Sequence, residues 1–218
     1  MTIAIDSEIE LIPDENHQVL EGVSWETYES LLKDFEATGQ RKRVTYDNGR
    51  MVIVSPLLKH ESWKTLLGCI VEAICDARDI PIRTVGSTTW RRKKKKKGLE
   101  PDESVYIQHE KLVRSRLELD LKKDPPPDIA IEVDLRPYLK NKLNVYAGLG
   151  IPEVWCFDGF ELEMFALQDT QEYEKIDRSM ALPFVKPSDL RRFLDLFTEL
   201  DQNSIMRKVR EWAKKSAK

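Results

Sequence analysis

Apolar residues recur at helical spacing in two long segments, and this pattern predicts two amphipathic helices. The first helix begins after Ser24, which suits an N-cap, and ends at Gly39. The second extends from Leu58 to about Ala77. The apolar positions are Trp25, Tyr28, Leu31, Leu32 and Phe35 in the first helix, and Trp63, Leu66, Leu67, Ile70 and Ile74 in the second. Each helix therefore has one face suited to a protein core.

Short apolar stretches between turn residues predict strands. Arg43 to Tyr46 and Met51 to Val54 flank Asn48 and Gly49, an arrangement typical of a β-hairpin. Further strands are predicted from Ile80 to about Trp90 and from Ser104 to Ile107. We therefore expect a sheet beside the helices.

The segment from Ile129 to Val133 alternates between apolar and polar residues, as a strand with two different faces does. A predicted helix from about Pro137 to Leu149 follows it, and then an apolar strand from Val154 to Phe157. Strand, helix and strand predict a β-α-β unit with parallel pairing and a right-handed crossover. Phe160 to Ala166 then predicts an antiparallel neighbour, so the sheet is expected to be mixed.

The two ends of the chain differ in pattern. Residues 1–21 show no periodicity, and we expect them to be flexible. Two helices are predicted near the other end from the apolar positions Leu190, Phe193, Leu194 and Phe197, and Ile205, Val209 and Trp212. The prediction is one domain over residues 22–218, of the α/β class, with a mixed β-sheet flanked by helices and extra N-terminal and C-terminal helices.

The composition is that of an ordinary globular domain: 218 residues, of which 41% are hydrophobic and 33% charged. No apolar run has the length of a membrane helix and no signal-peptide pattern is present, so we expect a cytoplasmic protein without membrane association. Cys69, Cys75 and Cys156 lack the spacing of a zinc site or a disulfide framework. We interpret them as small buried hydrophobic residues.

Seven consecutive basic residues interrupt an otherwise acidic chain. They are Arg91, Arg92, Lys93, Lys94, Lys95, Lys96 and Lys97. Because the whole chain has a net charge of −3, the other residues together carry −10. Such a concentrated run suits contact with phosphate groups at one place, and it equally suits a solvated loop.

Acidic residues lie where a β-α-β unit usually binds its ligand, beyond the carboxyl end of the first strand. Glu132 and Asp134 share one face of that strand and could bind Mg²⁺ or Mn²⁺, or they could belong to a wet acidic face. Lys142 projects toward the sheet from the following helix. It could orient water or stabilise phosphoryl charge there, or form a structural salt bridge.

Two further residues are candidates on weaker grounds. Asp102 follows Pro101 at the start of a predicted strand and supplies another carboxylate. His60 lies at the edge of the apolar face of its helix, whereas Glu61 points away. A single histidine in that position is more often a core residue than a site residue.

Asp102, Glu132 and Lys142, in this order, resemble the motif of the PD-(D/E)XK nuclease superfamily. The closer resemblance is to the bacterial Uma family of restriction endonucleases. The matching stretches lie within about Val23 to Phe184 and are Ser55–Pro56, His60–Glu61, Gly86 to Trp90, Gly98 to Glu103, Pro126 to Asp134, Tyr146–Ala147 and Leu149 to Trp155.

This resemblance implies a restriction-endonuclease-like fold in which Asp102 and Glu132 bind a magnesium-type ion. Lys142 takes the role of the motif lysine from a position on the helix, because Asp134 stands where the superfamily strand has lysine. Asp134 is then a third ligand, the partner of Lys142 or a mark of lost activity. His60 or Glu61 would contribute near the phosphate.

Three hypotheses for function follow. The first is a metal-dependent DNA endonuclease, which the resemblance suggests acts as a homodimer. The second, motivated by Asp134, is a catalytically inactive nucleic-acid-binding module on the same fold. The third is a structural or partner-binding protein whose acidic strand face meets solvent.

Overall fold

The computed structural model describes residues 17–40, 42–55, 58–133 and 139–216. Its helices are α1 (Trp25–Thr38), α2 (Leu58–Ala77), α3 (Glu110–Val113), α4 (Leu139–Leu149), α5 (Pro187–Asp195) and α6 (Gln202–Lys215). Its strands are β1 (His17–Leu20), β2 (Arg43–Asp47), β3 (Arg50–Val54), β4 (Arg83–Thr84), β5 (Trp90–Arg92), β6 (Lys97–Leu99), β7 (Glu103–Tyr106), β8 (Ile129–Val133), β9 (Glu153–Phe157), β10 (Leu162–Leu167) and β11 (Tyr173–Ile176).

The capping and turn residues at the start of the domain have the positions that the sequence predicted. The Ser24 hydroxyl accepts a hydrogen bond from the Thr27 backbone N–H at 3.0 Å and caps α1. Gly39 ends the helix at a φ of +66°, a conformation that glycine adopts without steric cost. The β2–β3 hairpin then turns at Asn48 and Gly49, both with positive φ.

The strands form two sheets, and the prediction of a mixed sheet flanked by helices is confirmed by the larger one. That sheet has six strands in the order β11-β10-β9-β8-β7-β4, with β8 and β9 parallel and the other pairs antiparallel. The β8-α4-β9 segment is therefore the predicted β-α-β unit. The second sheet, which the sequence pattern did not predict, is antiparallel with the order β1-β3-β2-β6-β5.

The prediction of one strand from Ile80 to Trp90 is wrong. Arg83–Thr84 alone joins the six-stranded sheet, and the chain enters the five-stranded sheet at Trp90. Between them Gly86 has a φ of +58°, which redirects the backbone. Apolar residues on both sides of such a turn resemble a single strand in the sequence although they belong to different sheets.

β8 is buried on both faces, contrary to the alternative of a wet acidic face. Ile129, Ile131 and Val133 face the larger hydrophobic cluster, which includes residues of α2, α5 and α6. On the other face, Ala130 packs in a second cluster with Tyr146 and other residues of α4. Glu132 is consequently buried beneath α4, and its charge needs partners inside the protein.

The structure agrees only in part with the predictions for the N-terminal segment and for the cysteines. His17–Leu20, within the segment expected to be flexible, pairs with β3 as an edge strand, while residues 1–16 lie outside the described part. Cys75 and Cys156 are buried as predicted, and Cys69 is partly exposed. Among the described residues, no helix combines the length and apolar character needed to cross a membrane.

Candidate active site

Glu132 is an almost fully enclosed carboxylate of the candidate site, with 1% of its surface exposed. The Lys142 ammonium donates a hydrogen bond to its Oε2 at 2.8 Å, and the Tyr146 hydroxyl donates to its Oε1. Lys142 and Tyr146 are four residues apart on α4, so both side chains lie on the same helix face. The crossover of the β-α-β unit thus brings a cation and a hydroxyl onto the strand carboxylate.

Tyr146 acts toward Glu132 as a fixed hydrogen-bond donor. Burial, together with the nearby Glu132 carboxylate, raises the pKa of Tyr146 well above its ordinary value of 10.0. The phenol therefore keeps its proton at neutral pH. Both Glu132 oxygens are engaged, one by a charged donor and one by a neutral donor, which orients the carboxylate.

Asp102 immediately precedes β7, the neighbour of the strand β8 that carries Glu132. The antiparallel register pairs Glu103 with Ile131, so Asp102, one residue before Glu103, and Glu132, one residue after Ile131, lie at the same end of the two strands. Asp102 is 1% exposed, so a second buried carboxylate lies at this end of β7 and β8.

Asp102 is held by contacts from three elements. Its Oδ2 accepts the Val133 backbone N–H at 2.6 Å and lies 3.0 Å from His60 Nε2. Its Oδ1 forms an ion pair with the Arg43 guanidinium at the start of β2. The first turn of α2 and the five-stranded sheet thus converge on this carboxylate.

Glu61 and Arg43 lie next to the His60 and Asp102 side chains. The sequence had not indicated Arg43 as a site residue. Arg43 NH2 lies 2.6 Å from Glu61 Oε1, which in turn lies 3.6 Å from His60 Nδ1. Glu61 is the more exposed partner, with 41% of its side chain open to solvent. A basic residue at the start of a strand carries no signal in the sequence that distinguishes it from other surface charges.

Two more glutamates flank Asp102 along the chain. Burial raises the pKa of both Glu100 and Glu103 above the ordinary value of 4.5. Arg43 opposes this rise at Glu100, and a hydrogen bond from the Ser104 N–H opposes it at Glu103. Both side chains therefore hold their protons more tightly than exposed glutamates do.

The structure brings together four of the five predicted catalytic residues: Asp102, Glu132, Lys142 and His60. Asp134 lies outside the described residues, so its prediction stays open. The basic run is on a separate hairpin, where Lys97 pairs with Asp47 and not with a site carboxylate. In the sequence, Tyr146 stands out only within the matching stretch Tyr146–Ala147, and its i,i+4 spacing from Lys142 is the signal that points to its contact with Glu132.

The donor set suits a hard divalent ion. Within the described residues, no group of three His, Cys, Asp or Glu side chains is arranged to hold a metal ion. Mg²⁺, however, is commonly bound by one or two carboxylates, with waters and substrate phosphates completing its octahedron. Asp102 and Glu132 supply two buried carboxylates at the same end of adjacent strands, which fits this kind of site.

Comparison of the sequence with protein families identifies the chain. A family model named Uma2 and described as "Putative restriction endonuclease" matches residues 25–194. The chain belongs to the Uma2 family. The match spans the elements from α1 to α5, and so includes every described residue of the Uma2 candidate site.

Solved structures similar to this Uma2 protein share little sequence with it. One is "a putative nuclease belonging to DUF820 from Anabaena variabilis ATCC 29413", with 17% identity, a TM-score of 0.44, and coverage of 68% of this chain and 89% of that chain. Another is "the type IIG restriction endonuclease BpuSI", with 8% identity, a TM-score of 0.37, and coverage of 70% of this chain and 16% of that chain. No curated protein matches the sequence.

Proposed function

We propose that this Uma2 protein is a metal-dependent endonuclease that hydrolyses phosphodiester bonds in DNA. The observation that carries the proposal is the pair of buried carboxylates, Asp102 and Glu132, with the Lys142 ammonium on Glu132. Membership of the Uma2 family supports nuclease chemistry. A cytoplasmic location and a homodimer, which would place two such sites on one duplex, belong to the same proposal.

Asp102 and Glu132 would hold a magnesium-type ion through their carboxylate oxygens. When bound, that ion supplies a Lewis acid for the phosphate and activates water at neutral pH. Asp102 is kept oriented for this role by the Val133 N–H and by His60. Glu132 is oriented by the Tyr146 hydroxyl.

Lys142 would act at the reacting phosphate. Its side chain is 24% exposed, so the ammonium is partly open to the surface while it contacts Glu132. From that place it would orient the attacking water or stabilise the negative charge that develops on the phosphate oxygens. His60 and Glu61 lie on the opposite side of Asp102 and would be secondary contributors.

A specific observation favours a second candidate, an inactive nucleic-acid-binding module. Asp102 forms an ion pair with Arg43, and Glu132 forms one with Lys142. The two carboxylates are therefore neutralised by side chains of the protein itself, an arrangement that is also sufficient for a purely structural cluster. Such a protein would bind DNA without cutting it.

The deciding experiment is an assay with supercoiled plasmid and single-stranded DNA in the presence of Mg²⁺, Mn²⁺ or EDTA. The matched variants are Glu132→Gln, which keeps the shape of the buried residue, and Glu163→Gln on β10, whose side chain pairs with Lys175. Cutting that requires metal, is abolished in Glu132→Gln and is retained in Glu163→Gln would support the endonuclease.

Two other results would count against the proposal. Binding of DNA without cutting, at equal strength in parent and Glu132→Gln, would support the inactive module. Failure to bind DNA even at low salt, with no binding of Mn²⁺, would support the structural alternative. Circular dichroism of each variant shows whether a loss of activity is a loss of folding.

A further inference from the structure

The basic run forms a tight hairpin and not an open loop. β5 and β6 pair in antiparallel register, and Lys93–Lys95 form a 3₁₀ turn between them. Lys96 closes the turn with a φ of +48°, and its carbonyl accepts the Asn48 backbone N–H at 3.0 Å. We name residues 90–99 the lysine hairpin, and its tip is fixed to the β2–β3 turn of the five-stranded sheet.

Two of the seven basic residues attach the hairpin to neighbouring elements. Lys97 is 8% exposed and forms an ion pair with Asp47 on the adjacent strand β2. The Arg92 guanidinium packs near Gly150, just beyond the last residue of α4. A cation is favourable at the carboxyl end of a helix because the peptide dipoles leave negative charge there. Lys97 and Arg92 thus anchor the hairpin to its surroundings.

Two more of these residues are paired at the surface. Arg91 lies 3.6 Å from a Glu29 oxygen, and Lys93 lies 3.1 Å from a Glu26 oxygen. All four side chains are well exposed, so these pairs contribute little to stability, but they neutralise charge. The positive charge that remains uncompensated is therefore concentrated at the tip.

That tip consists of Lys94, Lys95 and Lys96. All three are exposed, and within the ranges that the structure describes none of them forms an ion pair with a carboxylate. Three adjacent ammonium groups repel one another, and Glu26, which pairs with Lys93 and also attracts Lys96, offsets only part of that repulsion. A polyanion with closely spaced negative charges would offset the repulsion among the three ammonium groups.

The chain connects this tip directly to the candidate site. β6 runs from Lys97 to Leu99 and continues through Glu100 and Pro101 to Asp102. Asp102 is therefore six positions after Lys96. An extended chain advances about 3.3 Å per residue, so the tip lies within about 20 Å of Asp102. The phosphates of one DNA strand follow one another every 3.4 Å or so along the helix axis, so an axial distance of about 20 Å spans about six nucleotides.

We propose that Lys94, Lys95 and Lys96 form a phosphate-binding site that holds the DNA backbone within about six nucleotides of the scissile bond. The proposal rests on the proposed function for its ligand, a nucleic-acid backbone. The lysines bind phosphate alone and confer no base specificity. The lysine hairpin therefore supplies affinity and position, and Asp102, Glu132 and Lys142 act on the bond.

The test measures DNA binding in EDTA, so that cleavage does not enter the result. A fluorescent duplex longer than two helical turns is titrated by anisotropy with the full-length parent at several salt concentrations. The triple variant Lys94→Gln, Lys95→Gln and Lys96→Gln removes the tip charges. The matched control is Lys208→Gln, Lys214→Gln and Lys215→Gln, three exposed lysines of α6.

We expect the hairpin variant to bind more weakly at low salt. The slope of log affinity against log salt should become shallower by about 0.9 for each phosphate that the protein no longer neutralises, or by up to about 2.7 for three. The α6 variant should keep the slope of the parent. A shallower slope in the hairpin variant alone supports the site, whether or not the parent cuts DNA in a separate assay with metal.

Three results would overturn the inference. The first is an unchanged slope in the hairpin variant, which leaves the endonuclease proposal standing if the parent cuts DNA. The second is an equal decrease in both triple variants, which indicates net charge and not a site. The third is binding of the parent to anionic phospholipid vesicles but not to the duplex, which would assign the lysines to a membrane surface.

Discussion

At the scale of single residues, the candidate site is a set of buried charges that satisfy one another. Asp102 and Glu132 are both 1% exposed, and a buried carboxylate without a partner is strongly destabilising. Arg43, Lys142 and Tyr146 supply those partners. The same contacts that stabilise the fold therefore also orient the groups to which we assign the chemistry.

The role of Lys142 is tested by Lys142→Met, which keeps most of the side-chain length and removes the charge. If the ammonium stabilises the phosphoryl transition state, cleavage should slow by about 10²-fold to 10³-fold. Lys111→Met, an exposed lysine of α3, is the control. Plasmid cleavage by Lys142→Met at the parent rate would rule out this role for the lysine.

Tyr146 and Tyr173 form a matched pair for a second prediction. Each hydroxyl donates a hydrogen bond, from Tyr146 to the Glu132 carboxylate and from Tyr173 to the Ile151 carbonyl at 2.5 Å. Substitution by Phe should lower the free energy of unfolding in both cases, by about 1–3 kcal/mol, in urea denaturation. Only Tyr146→Phe should also slow cleavage and weaken Mn²⁺ binding. An equal effect of Tyr173→Phe on cleavage would contradict the assignment.

Glu153 gives a prediction about pH. It is completely buried on β9, where its carboxyl accepts hydrogen bonds from Trp155 and from the backbone of Met180 and Ala181. Burial outweighs these contacts and raises the pKa of Glu153 above its ordinary value of 4.5. The folded protein therefore holds this proton more tightly than the unfolded chain.

The direction in which stability changes with pH follows from this difference in the pKa of Glu153 between the folded and unfolded states. Below pH 4.5 the carboxyl is protonated in both states, and its contribution to stability is fully present. As the pH rises, the unfolded chain ionises first, and the contribution decreases until the pH passes the raised pKa of the folded state. The free energy of unfolding of the parent minus that of Glu153→Gln should therefore decrease with rising pH. The exposed Glu161→Gln is the control, and a rising difference would contradict the prediction.

At the scale of elements, the position of α4 decides whether Lys142 and Tyr146 reach Glu132. The helix lies against β6 of the five-stranded sheet, where the buried stem of Lys97 packs next to Gly148. Asn144 donates a hydrogen bond at 2.9 Å to Asp47, which also pairs with Lys97. The five-stranded sheet thus supports the helix that crosses over the six-stranded sheet.

Two helical glycines should respond in opposite directions to alanine. At Gly148 a Cβ would lie 2.7 Å from Lys97 Cγ, which is too close, and Gly148→Ala should destabilise the protein by about 1–3 kcal/mol. At Gly68 in α2 the nearest atom, Glu103 Oε2, would be 3.5 Å away. Gly68→Ala should therefore stabilise by up to about 1 kcal/mol, because alanine favours the helix. Urea denaturation measures the free energy of unfolding of each variant. A change of the same sign in Gly148→Ala and Gly68→Ala would contradict this difference in packing.

At the scale of the whole molecule, the two sheets meet around Asp102. The five-stranded sheet supplies Arg43, the six-stranded sheet supplies Glu132, and the connection between β6 and β7 supplies Asp102. The described part of the chain contains one such candidate site, whereas cleavage of both strands of a duplex needs two reactions. A protein that cuts both strands together would use a symmetric pair of chains.

The homodimer is therefore a prediction at this scale. Sedimentation velocity at several protein concentrations, with and without a short duplex, should show a species of twice the monomer mass that becomes more populated as the concentration rises. The Glu132→Gln variant, in EDTA, allows the complex with DNA to be measured without cleavage. A strict monomer under all of these conditions would count against paired cutting.

Much of the secondary structure was predictable from the sequence because its signals are local. Helical spacing with Ser24 and Gly39 predicted α1, and the Asn48–Gly49 turn predicted the β2–β3 hairpin. The alternation in Ile129–Val133 and the apolar Val154–Phe157 predicted the parallel unit. Within the site, the sequence pattern and the family resemblance named Asp102, Glu132, Lys142 and His60, and the roles of these residues stay predictions.

The sequence by itself determined the longer helices, the β2–β3 hairpin, the β-α-β unit and the residue types available for chemistry, because periodicity, caps and turns act between near neighbours in the chain. Only the tertiary structure decided that the strands divide into two sheets, that Arg43 reaches Asp102 and that Lys97 is buried while Lys94 to Lys96 are exposed. These features depend on contacts between residues distant in the chain. Their partners are selected by packing and by the cost of burying an unpaired charge, which no local pattern records.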